Sequence, residues 1–84
     1  MKGYCITFRS VTYAQQGSAV LRRAGLYGQL QRTPKWMEEQ GCGYCIHVRT
    51  QDGADAVAAL RRAGASFRKV YHLGSNGEAG EVVL

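Results

Sequence analysis

The chain predicts an α+β fold with the element order βαββαβ, and an internal repeat and two alternations of side-chain type predict it. Tyr4-Cys5-Ile6-Thr7-Phe8-Arg9-Ser10 recurs as Tyr44-Cys45-Ile46-His47-Val48-Arg49-Thr50 at an offset of 40. Leu21-Arg22-Arg23-Ala24-Gly25 recurs as Leu60-Arg61-Arg62-Ala63-Gly64 at an offset of 39, so one residue is dropped between strand and helix. In each half, period-two alternation gives way to apolar residues at helical spacing. Two strand–helix–strand units with right-handed crossovers interleave into a four-stranded antiparallel sheet with both helices on one face. That arrangement is a ferredoxin-like sandwich with a pseudo-two-fold repeat.

The first strand covers residues 3–10, with Tyr4, Ile6 and Phe8 on one side and Cys5, Thr7 and Arg9 on the other. Ser10 or Thr12 caps a helix that runs to about residue 24 and buries Tyr13, Val20, Leu21 and Ala24. Gly25, free to turn left-handed, ends it. Residues 26–31 form a second strand. Residues 32–43 hold the only proline, Pro34, and the only tryptophan, Trp36, in a connection longer than a hairpin needs. Trp36 is expected to fold this loop onto the core.

Residues 44–49 form the third strand, with Cys45, His47 and Arg49 facing away from Tyr44, Ile46 and Val48. Thr50 or Asp52 caps a helix over about residues 53–63, where Asp52 and Asp55 suit the positive end of the helix dipole. Gly64 stops it, and residues 66–73 form the fourth strand. Residues 1–73 thus make one domain, and residues 74–84 read as a C-terminal tail that is flexible or docked on a partner.

The even-numbered residues of strands one and three should pack beneath the helices, and the odd-numbered ones should form the open face. If the pseudo-dyad sets Thr7 opposite His47, Cys5 falls opposite Arg49 and Cys45 opposite Arg9. Cys5 and Cys45 are then four residues out of step, on the order of 13 Å apart and beyond disulfide reach. Each would have an arginine neighbour that favours its thiolate.

Cys42-Gly43-Tyr44-Cys45 has the C-x-x-C spacing. It runs into a strand rather than a helix N-terminus, and an odd spacing on a strand sends the two side chains to opposite faces. Zinc would need Cys5 and His47 to complete four ligands, and the expected register holds Cys5 away. No metal and no cofactor is therefore expected. Cys5 and Cys45, at equivalent repeat positions, also read simply as small packing residues. Cys42 lies outside the repeat between Gly41 and Gly43, which leave backbone N–H groups free to meet a thiolate or an anion. It is the candidate reactive thiol.

Eighty-four residues suffice for one small core, and three cysteines, an odd number, argue against a secreted disulfide framework. No apolar run approaches the ~20 residues of a membrane span, so a cytoplasmic protein with no membrane contact is expected. Of the eleven basic residues behind the net charge of +5, Arg22, Arg23, Arg61 and Arg62 sit late in helices, where cations oppose the dipole. The open face carries Cys, Thr, Arg and His rather than stacking rings, which disfavours RNA.

The chain resembles the DUF3343 family of selenium/sulfur carrier-like proteins over roughly residues 3–73. The family's strand and short helix match at Tyr4-Cys5-Ile6-Thr7-Phe8-Arg9-Ser10, and its final strand at Val70-Tyr71-His72-Leu73. Its Cys-Gly falls on Cys42-Gly43. Pro34-Lys35 stands for the usual Pro-Arg, and Glu38-Glu39-Gln40-Gly41 replaces the usual serines. The resemblance implies a carrier that accepts a chalcogen atom on Cys42 as a persulfide or selenosulfide. Lys35 would be an electrostatic aid and Cys45 a resolving thiol. It also implies a desulfurase-type or selenium donor and an acceptor enzyme as partners, and an accessory protein more than a stand-alone enzyme. The alternative is a small binding or regulatory module that uses the open face toward a protein, with RNA or zinc disfavoured. Self-association is left open.

Overall fold

The computed structural model describes residues 3–33, 43–74 and 79–84. The elements are β1 (Gly3–Phe8), α1 (Val11–Arg23), β2 (Gly28–Arg32), β3 (Tyr44–Val48), a 3-10 turn at Thr50–Asp52, α2 (Gly53–Arg62), β4 (Val70–Leu73) and β5 (Ala79–Val82). They build one antiparallel sheet in the order β2-β3-β1-β4-β5. The first four strands and two helices follow the expected βαββαβ order. A fifth strand, from the segment expected to be a tail, widens the sheet beyond the four strands foreseen.

Local chemistry explains the boundaries. Ser10 sits in extended conformation and its hydroxyl accepts a hydrogen bond from the Tyr13 N–H at 3.3 Å, capping α1. Both helices end in the same way. Gly25 at φ 78° and Gly64 at φ 70° take the left-handed conformation. Leu26 N–H then donates to Leu21 O and Ala65 N–H to Leu60 O, both at 2.9 Å, the paired closure of a Schellman motif. The repeated Leu-Arg-Arg-Ala-Gly is thus a repeated helix stop. Asp52 occupies the N-cap position of α2, yet makes no capping bond; its carboxylate instead accepts from Arg49 Nε at 2.9 Å.

Both helices cover the same face. Ile6, Phe8, Ile46 and Val48 from the sheet meet Leu21 of α1 and Val57 and Leu60 of α2 in the main core. Gly17 lets α1 approach closely: a Cβ there would stand 2.7 Å from the end of the buried Phe8 ring. The other sheet face holds a smaller cluster of Cys5, Cys45 and Tyr71, with Leu73 packed against it.

The register of β1 on β3 departs from expectation by two residues. Ile6 pairs with Ile46, Cys5 with His47 and Thr7 with Cys45. A slip of two keeps every side chain on its own face, so alternation alone does not distinguish the registers. Arginine solvation does. In the expected register Arg9 and Arg49 would lie within the ladder against the buried thiols; here pairing ends at Phe8–Tyr44 and Tyr4–Val48, and both arginines are exposed. Burying the Arg9 guanidinium, which has no ion pair with a described acid, would cost several kcal/mol, on the order of the penalty for an unpaired buried ion, and burying Arg49 would add to it.

Candidate functional site

The described part of the site lies on the sheet face turned away from the helices. Cys5 of β1 and Cys45 of β3 are two residues out of step on adjacent strands, both free and both buried. Their side chains share one cluster with Tyr71, which stands opposite Cys5 on β4. The arginine neighbours expected for the thiols are absent from this arrangement. Arg49 is held by Asp52, and Arg9 lies over the Tyr13 ring at 5.5 Å, on the helix side. His47 is the cross-strand neighbour of Cys5, with Gln29 on its other flank.

Hydrogen bonding divides the two thiols. The Cys5 thiol donates toward Cys45 and its own ionisation is pushed up, first by that bond, then by burial and by the neighbouring charge on Cys45. Cys45 is moved the other way. Donation from Cys5, with help from Thr33 and Gln31, lowers it against the opposing effect of burial. The two directions oppose each other, so Cys5 is the harder of the pair to ionise.

Thr7 and Thr33 show how selective this setting is. Thr7 lies directly opposite Cys45, but its hydroxyl is committed: Oγ1 donates to Lys69 O at 3.3 Å and accepts from Lys69 N–H at 3.0 Å. Thr33 Oγ1 is buried and has no hydrogen bond of ordinary geometry, so it is the hydroxyl left to turn toward the Cys45 sulfur when charge develops there. Gln31 faces Cys45 across β2 and β3. Thr33 and Gln31 were not foreseen as site residues. Alternation along β2 was the available signal, once the β2–β3 hairpin is paired so that Gln31 opposes Cys45.

Thr33 N–H also donates to Gly43 O at 3.0 Å, one step beyond the last ladder pair, Arg32–Tyr44. The base of the intervening loop is thereby pinned. Cys42, Lys35 and Gly41, foremost among the expected site residues, lie outside the described residues, whereas Gly43 is at the pinned base. Among the described residues no three His, Cys, Asp or Glu side chains converge as metal ligands, and no helix is long and apolar enough to cross a membrane.

Residues 3–72 match the family model described as Putative Se/S carrier protein-like. No curated protein and no solved structure matches the chain. The matched span takes in both strand cysteines, the segment with Cys42-Gly43, and both helices. The chain belongs to the Putative Se/S carrier protein-like family.

Proposed function

We propose that this protein carries a sulfur or selenium atom on Cys42 and hands it from a donor protein to an acceptor enzyme. The family match, which spans Cys42-Gly43 within residues 3–72, carries the reading. Burial supports the choice of thiol. Cys5 and Cys45 are 1% and 0% exposed, so neither is open to a protein donor, and loading falls to the cysteine outside the ladder. Cys42 is next in sequence to Gly43, whose carbonyl accepts from the Thr33 N–H at the base of the β2–β3 connection.

The transfer balances without an oxidant. The Cys42 thiolate attacks the outer sulfur of a donor persulfide, the donor's sulfur–sulfur bond breaks, and the donor thiolate leaves with that electron pair. The transferred atom remains on Cys42 as a persulfide, and the same step in reverse sense delivers it to the acceptor. Where no acceptor thiol is at hand, Cys45 resolves the carrier: its thiolate, favoured by donation from Cys5, Thr33 and Gln31, attacks the inner sulfur of the Cys42 persulfide, a Cys42–Cys45 disulfide forms, and the outer sulfur leaves as hydrosulfide with the bonding pair. No cofactor takes part.

Incubation with a cysteine desulfurase and free cysteine, followed by intact-mass spectrometry, tests the proposal. One added sulfur is expected on the wild type and none on Cys42→Ser. A wild type that gains no sulfur, or a Cys42→Ser variant that loads undiminished, refutes it.

A further inference from the structure

We infer that Arg9 and Arg32, each laid over a tyrosine at the loop end of the sheet, form the docking patch for an acidic surface of the protein that loads the carrier. The inference rests on the carrier reading for its biological partner, and on the following geometry for the patch itself.

Phe8, Tyr44 and Arg32 stand side by side across β1, β3 and β2, at the end where Thr33 and Gly43 close the loop. Arg9 follows Phe8 directly. The Arg32 guanidinium lies 5.6 Å from the centroid of the Tyr44 ring, and Arg9 lies 5.5 Å from that of Tyr13 in the first turn of α1. Both arginines are exposed, and both tyrosines pack against the main core. The backbones carrying the two arginines are separated by about two strand spacings, ~10 Å. The rings thus form a fixed floor, and the guanidiniums are two forks held on it.

Among the described residues charge is unbalanced at this end; Glu38 and Glu39, in the loop that Thr33 and Gly43 close, lie outside them. Among the described residues the acids are Asp52, Asp55 and Glu81. Asp52 is bound to Arg49 beyond the Val48 end of β3, which pairs with Tyr4 at the opposite end of β1. Asp55 lies in the first turn of α2 at that same far end, and Glu81 sits on β5 against Lys69. Arg9 and Arg32 make their tyrosine contacts and no ion pair with a described acid. A guanidinium prearranged on a ring loses little freedom when it accepts a carboxylate in bidentate geometry. Two such forks suit two carboxylates on a protein. They suit nucleic acid poorly, because the rings are already covered by arginine and cannot stack on bases, and two phosphate contacts give little affinity at physiological salt.

Titration with poly-L-glutamate, followed by NMR of the tyrosine rings, tests the patch directly. Saturable shifts confined to Tyr13 and Tyr44 and suppressed by salt are expected. Affinity should fall at least about tenfold in Arg9→Glu/Arg32→Glu, as reversal of two complementary charges predicts. Arg9→Ser/Arg32→Ser, which removes charge without adding repulsion, should fall between, and circular dichroism confirms folding of each. Absence of shifts at both rings, or equal affinity in both variants, overturns the inference. Tighter binding of a thymidine oligonucleotide of matched charge reassigns the patch to nucleic acid and overturns it equally. Loading by inorganic polysulfide, which needs no docking, is measured beside it. Unchanged loading with no glutamate binding sinks the patch alone, and lost loading with intact glutamate binding sinks the carrier reading alone.

Discussion

Cys5 and Cys45 lie two residues out of step across β1 and β3 in one buried cluster, and donation from the Cys5 thiol favours ionisation of Cys45 over its own. Removing the donor should reverse the advantage. In a Cys42→Ser background, Cys5→Ala is expected to move the Cys45 titration upward, read from thiolate absorbance, because burial then acts on Cys45 with fewer opposing donors. Thr33→Val should move it in the same direction by less. A Cys45 titration unmoved by Cys5→Ala would contradict the assignment.

Stability should carry the signature of the retained proton. Cys5 has its ionisation raised in the folded state, so its contribution is full below the ordinary thiol range and is lost as pH rises through that range toward the folded value. Urea unfolding of Cys42→Ser is expected to show a midpoint that declines above about pH 8.5, where the unfolded thiol begins to ionise. Cys5→Ala/Cys45→Ala, which leaves no buried thiol to hold a proton, should lose less over the same interval. An identical decline in both proteins would remove the buried thiol pair as the cause.

Alkylation should separate the thiols by rate. Cys5 and Cys45 are buried and should react with iodoacetamide only as fast as the sheet opens, so mild urea should accelerate both together. Cys42, as the proposed carrier, is expected to react first in the native protein. Peptide mass mapping over time gives the order.

The closeness of α1 to the sheet depends on Gly17. Gly17→Ala would gain up to ~1 kcal/mol of helix propensity, but it forces a methyl against the fully buried Phe8 ring, and overpacking of this kind costs about 1–3 kcal/mol. A net loss is expected in denaturant unfolding, with Phe8→Leu relieving part of it. Additive losses in the double variant would show that the two residues do not conflict.

The two helix anchors should be equally sensitive. Leu21 and Leu60 occupy the same repeat position and are 1% and 0% exposed, so Leu21→Ala and Leu60→Ala should each destabilise by about 2–5 kcal/mol. A loss under 1 kcal/mol at either position would mean that the core repacks around it.

Much of this architecture is written in the repeat. Leu-Arg-Arg-Ala-Gly marks both helix stops, and the even-numbered residues of β1 and β3 do face the helices. The register was not legible, because period-two alternation is blind to a slip of two; solvation of Arg9 and Arg49 decides it. β5 was not legible either. Ala79-Gly80-Glu81-Val82 has poor strand propensity and gains its conformation by pairing with the edge of β4, a tertiary effect that overrides local preference. Thr33 and Gln31 emerge as neighbours of Cys45 only when β2 is set on β3. The expectations for Cys42, Gly41 and Lys35 stand as proposals, since those positions lie outside the described residues.

β5 has a consequence for assembly. Two equivalent halves would present two equivalent outer strands, β2 and β4, and a partner adding to one could add as well to the other. With Ala79–Val82 laid along β4, the two flanks differ: one ends in the short strand β5 bearing Glu81, and the other, among the described residues, in β2 beside Arg32 and the loop base. A sheet built from two like halves thereby has two unlike edges, so a partner that reads one of them meets the molecule in a different setting from a partner that reads the other.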